Sequence, residues 1–87
     1  MHNISILKKP AGSITMFIVN AGEKLAPYTI PFETFIHLLS GTAEISINKK
    51  IHSLKQNEYL VVPPHKVHFL NAIEDCKVNF TIIKSGY

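Results

Sequence analysis

Residues 63–72 read PPHKVHFLNA and place His65 three positions before His68, directly after a pair of prolines. Imidazoles bind divalent metals, move protons near neutral pH and hold polar ligands. A pair at i and i+3 can converge on one ion only on a helix, because on a strand the two side chains leave on opposite faces. Four further groups could join such chemistry: His37, His52, Glu33 and Tyr28. Cys76 is the only cysteine, so neither an intrachain disulfide nor a thiolate metal cluster is open to the chain. It is expected to serve as a small, partly buried hydrophobe. Which of these groups meet depends on the elements that carry them.

The elements read as strands. Ser13–Val19 is rich in β-branched and aromatic residues and stops at Asn20-Ala21-Gly22. A second apolar run covers 34–39 and closes at Ser40-Gly41. Residues 42–47 then alternate, which sends Ala43, Ile45 and Ile47 to a core and Glu44, Ser46 and Asn48 to water. Asn48-Lys49-Lys50 is a tight hairpin candidate in which Asn tolerates positive φ and Lys49 carries strain. Strands follow at 51–54, 59–62, 67–72 and 77–84, separated by Lys55–Glu58, the prolines and Ile73–Asp75. Val78, Phe80 and Ile82 share one face of the last. About eight short strands with turns every eight to twelve residues, and no helical period, imply an all-β sandwich or barrel. His65 then sits in a turn and His68 inside a strand, so the helical pairing is closed to them.

Composition bounds the function classes. The chain has 87 residues, one domain spanning 1–87, with 46% hydrophobic and 17% charged residues, an ordinary globular balance. A net charge of +3 comes from nine scattered lysines against six acidic residues, and the longest basic runs are Lys8-Lys9 and Lys49-Lys50, which argues against a nucleic-acid surface. No run approaches the roughly 20 apolar residues of a membrane span, so no membrane partner is expected and cytoplasmic residence is the default.

Two stretches resemble the paired motifs of the cupin superfamily, small jelly-roll barrels also described as double-stranded β-helices. The first motif, G-x5-H-x-H-x3-E-x6-G, has its frame reproduced without a gap from Gly22 to Gly41. The second, G-x5-P-x-G-x2-H-x3-N, is matched in spacing over 57–72 through Pro63 and His68. The resemblance implies a barrel of antiparallel strands, with residues 1–12 left as an N-terminal segment that could contact a second subunit. Asn57 and His65 stand where glycine is usual, and both residue types are enriched at positive φ.

The resemblance also implies where a metal would sit, at two histidines and a glutamate of the first motif and the histidine of the second. Here those positions hold Tyr28, Ile30, Thr34 and His68. One imidazole and a phenol fall short of the three or more protein ligands a transition metal normally takes. Glu33 is one residue off the glutamate position and points through the other face, and His37 is on that same outward face. Ile30 lines the site with methyl groups, which do not compensate a desolvated cation. The sequence therefore implies no metal, no cofactor and no catalytic set. It implies a ligand pocket at Tyr28, Ile30, Thr34 and His68, bordered in the motif frame by Phe32, Phe35, Phe69 and Phe80, or a core filled by those side chains.

The function expected is a small-molecule-binding or regulatory module rather than an enzyme. Two alternatives stay open: a metal enzyme joining His68 to His65, His52 or a ligand from a second subunit, and a metal-free isomerase or lyase using Tyr28 and His68. Phe35 and His37 on an outward face point to a homodimer. The competing expectation is that the N-terminal segment, with Ile4, Ile6 and Leu7, covers that face within one chain.

Overall fold

The computed structural model describes residues 2–84, and for residues 26–28 the backbone alone. The described residues form nine strands and no helix: β1 (His2–Lys9), β2 (Gly12–Val19), β3 (Lys24–Tyr28), β4 (Glu33–Ser40), β5 (Ala43–Ile47), β6 (Lys50–Leu54), β7 (Tyr59–Val62), β8 (His68–Ala72) and β9 (Cys76–Ile83). It follows that no helix among the described residues is long and apolar enough to cross a membrane. The strands form two antiparallel sheets, ordered β1-β2-β9-β4-β7 and β3-β8-β5-β6. Sequence neighbours sit in opposite sheets after β2, β3, β4, β6, β7 and β8, the crossing pattern of a jelly roll.

Period-two alternation decides what lies between the sheets. Along β4, Thr34, Ile36 and Leu38 are buried while Glu33, Phe35 and His37 are half-exposed. On β9, Cys76, Val78 and Phe80 are buried and Lys77 is exposed. These side chains meet Ala43, Ile45, Leu70 and Ala72 of the other sheet in one core.

The turns are written in local chemistry. Residues Asn48 and Lys49, at φ 48° and 70°, make the two-residue link between β5 and β6, the left-handed pair a hairpin of that length needs. Two other turns share one design. Glu23 N–H donates to Asn20 O at 2.9 Å while Asn20 N–H donates to the Glu23 carboxylate at 2.8 Å. Glu58 N–H likewise donates to Lys55 O at 3.0 Å and Lys55 N–H to the Glu58 carboxylate at 2.7 Å. The residue before each glutamate has positive φ, Gly22 at 84° and Asn57 at 68°. Gly22 and Asn57 open the two motif frames, so the frames share a turn built the same way.

Four expectations from the sequence change. There are nine strands because 24–28 pairs with β8 and because the N-terminal segment is itself a strand, bulged between Ser5 and Leu7. That strand does not cover Phe35 and His37. It lies at the far end of the sheet, three strands from β4, and every residue of it is exposed. Phe35 and Phe69 do not border the interior, since the inward positions beside them belong to Thr34 and Ile36, and to His68 and Leu70. Ser46 faces outward as parity requires, yet it is buried rather than wet, between Ile51 and Phe69 on the flanking strands.

Candidate functional site

His68 opens β8 with its side chain turned inward and only 2% exposed. Its Nδ1 lies 3.1 Å from the Lys66 carbonyl oxygen. A carbonyl only accepts, so this contact places a proton on Nδ1 and fixes the orientation of the ring. The turn before it is fixed by backbone. His65 takes a φ of 66°, and its N–H donates to the Ile30 carbonyl oxygen at 2.9 Å, tying the post-proline turn to the segment between β3 and β4.

The four expected pocket residues are placed as follows. Tyr28 pairs with His68 across β3 and β8, which sets their backbones side by side, while the Tyr28 side chain lies outside the described part of the structure. Thr34 is fully buried on the inner face of the opposing sheet, its hydroxyl 3.5 Å from the Phe32 carbonyl oxygen, a long contact for a donated hydrogen bond. Ile30 is half-buried just ahead of β4.

The remaining candidates do not converge. His65 is exposed, which answers the question its spacing raised: the two histidines are neighbours in sequence and strangers in space use. Glu33 and His37 face out of the barrel with Phe35. His52 shares the inner face with His68 but stands beyond β5, opposite Ile45 rather than Ile47. Among the described residues no group of three His, Cys, Asp or Glu side chains could hold a metal ion. The residues present at the cupin ligand positions therefore do not fit a transition metal, and no chemical step is derived through one.

Cys76 plays no part in this site. Its thiol is buried beneath the Gly41 turn, 3.2 Å from Thr42 O and 3.0 Å from Glu74 O, and burial raises its pKa above the ordinary 9.0. A feature the motif frame did not suggest lies on the outer face of the smaller sheet. Phe69 stands as a ridge between two shallow depressions, of about 370 Å³ beside Val67 and Lys49 and about 210 Å³ beside Ile51 and Lys24. The Lys24 ammonium sits 5.7 Å from the Phe69 ring centroid. The signal was present in the alternation of β8, which sends Phe69 outward once His68 and Leu70 point in.

The comparison with solved structures settles the architecture. The fold is that of the cupins. A conserved protein of unknown function from Streptococcus pyogenes superposes with a TM-score of 0.91 at 22% identity, covering 99% of this chain and 75% of that one. A cupin superfamily protein from Desulfitobacterium hafniense gives 0.90 at 21% identity, over 94% of this chain and 75% of that one. An RmlC-like cupin from Desulfovibrio desulfuricans gives 0.88 at 24% identity, over 95% and 81%. No family model matches the chain, and no curated protein matches it in sequence. Some cupin-fold structures of this similarity are enzymes, among them a salicylate 1,2-dioxygenase from Pseudoaminobacter salicylatoxidans at 16% identity, of which this chain covers 25%. A shared barrel does not choose among such chemistries; the side chains inside it do.

Proposed function

We propose that this cupin-fold chain is a small-molecule-binding or regulatory module, whose ligand offers a hydrogen-bonding group to the inward end of β8. The observation that carries the reading is His68, a polar side chain held inward at 2% exposure with its ring oriented by the Lys66 carbonyl. Thr34 on the facing sheet supplies a second polar side chain to the same interior, and the half-buried Ile30 stands just ahead of β4. An imidazole oriented through Nδ1 at the inward end of β8 recognises a ligand by hydrogen bonding, a contact that needs no metal.

The test is a thermal-shift and NMR screen of the wild-type chain and His68→Leu against small hydroxy acids, sugars and nucleobases. A compound at a hundred times its Kd stabilises the fold by about 2.7 kcal/mol, and a domain of this size gains roughly 4–8 °C per kcal/mol. The expected outcome at that concentration is a shift of roughly 10–20 °C with wild type that disappears in His68→Leu. If no class of compound moves either protein, or if a transition metal copurifies near stoichiometrically with tag-free wild type and is lost in His68→Leu, the reading fails.

A further inference from the structure

On the outer face of the four-stranded sheet, register sets Phe69, Ser46 and Ile51 side by side across β8, β5 and β6. A serine between two large apolar side chains leaves a hollow, with Ser46 as its buried floor. Toward the β5–β6 hairpin the hollow widens to about 370 Å³, walled by Phe69 and Val67 and bordered by Ser46, Asn48 and Lys49. That volume is within the range of small-ligand sites, which pair apolar walls with a few polar groups. The charges around it are one-sided. This lining holds one lysine and no carboxylate, whereas the smaller depression on the other side of Phe69 sets Lys24 beside Glu44.

Lys49 is held at this border against the preference of its own backbone. Four non-glycine residues among those described have positive φ: Asn48, Lys49, Asn57 and His65. Asparagine and histidine are enriched in that region, and lysine is not. At the second position of a two-residue hairpin glycine is the usual choice, because it carries no left-handed strain. The chain instead spends stability to put a long cationic side chain at the mouth of an apolar hollow. Strain kept in this way is a mark of a binding site. Among the described residues no carboxylate pairs with Lys49.

We propose that this depression binds a flat aromatic carboxylate. Its ring packs on Phe69 and Val67, the Phe69 side chain offering a π-surface for offset or edge contact. Its carboxylate takes a charge-assisted hydrogen bond from the Lys49 ammonium, with the Asn48 carboxamide and the Ser46 hydroxyl bordering the same space as further donors. A single ammonium matches a single negative charge. The site lies on the outside of the sheet that carries His68 on its inner face, so it stands or falls independently of any ligand in the interior.

Titration of the full chain with 2-naphthoate, followed by amide ¹H–¹⁵N shifts, tests the assignment. Wild type is expected to saturate with a Kd of about 0.1–1 mM, ordinary for a ligand of this size, with shifts centred on Ser46, Lys49 and Val67. Lys49→Gly relaxes the hairpin and keeps the fold, and it is expected to weaken binding about tenfold, the weight of one lost hydrogen bond to a charged group. Lys49→Arg retains the charge and is expected to stay within about threefold of wild type. Phe69→Leu keeps an apolar wall without a ring and is expected to weaken binding by roughly two- to tenfold. The neutral 2-naphthamide is expected to bind wild type and Lys49→Gly alike, and more weakly than wild type binds the acid. No saturation by about 10 mM overturns the proposal, as does a Kd that Lys49→Gly leaves unchanged. So do shifts centred on Thr34 and Ile36, which would place the probe inside the barrel.

Discussion

Two glycines frame the first cupin motif, and replacing each with alanine separates backbone strain from steric exclusion. Gly22 has a φ of +84°, and a Cβ there would meet nothing within 4 Å. Gly41 has a φ of +89°, but a Cβ there would run into the Asp75 carbonyl oxygen and lie 3.0 Å from Cys76 Sγ. Both variants place an L side chain at left-handed φ, which costs roughly 1–2 kcal/mol, offset in part by ~0.5 kcal/mol from a stiffer unfolded chain. Gly22→Ala should therefore lose about 1 kcal/mol. Gly41→Ala must in addition push backbone off β9 or displace a buried thiol, and forced overpacking adds about 1–3 kcal/mol. Out of a total of roughly 4–13 kcal/mol for a chain of this length, that second loss is severe. Urea unfolding followed by circular dichroism at one protein concentration measures both, as midpoint shifts at constant slope. Equal losses within about 0.5 kcal/mol would refute the claim that close approach of the β9 entry, rather than φ alone, requires Gly41.

Three further outcomes follow from local geometry. Lys49→Gly, at φ 70° in the hairpin tip, should raise Tm by a few degrees by relieving about 1 kcal/mol of left-handed strain, whereas Lys50→Gly, one residue into β6, should lower it. Asn57→Gly should gain less than Lys49→Gly, because asparagine tolerates positive φ better than lysine does, and parallel thermal melts compare the two. Cys76, its folded pKa raised by burial, is a thiol in both states below pH 9.0, but above it only the unfolded chain ionises freely. Its contribution is thus present below that pH and is lost as pH rises, so wild type should lose more stability than Cys76→Ala between about pH 9 and 11, read as the difference between their denaturation midpoints.

Local pattern alone was enough for seven of the nine strands and for their parity. Alternation along 34–39 and 77–84 is enough to send Thr34 in and Glu33 out, because successive residues on an extended chain must leave on opposite faces. It also marked the tight turns, since Asn48, Asn57 and His65 are residue types that accept positive φ, and all three adopt it. The chemistry missing from the cupin ligand positions was equally legible, as identity at fixed spacing needs no coordinates.

Which strands become neighbours could not be read along the chain, because pairing across dozens of residues is chosen by packing between sheets and leaves no local mark. That is why β1 proved to lie at the edge beyond β2, leaving Phe35 and His37 uncovered within one chain, and why β3 emerged from a segment interrupted by proline. Burial on an outward face is likewise a property of neighbours: Ser46 is hidden by Ile51 and Phe69, and the Asn79 carboxamide oxygen is closed off amid Met16 and His37. Parity is local and can be read along the chain, whereas the company a side chain keeps depends on residues far from it in sequence.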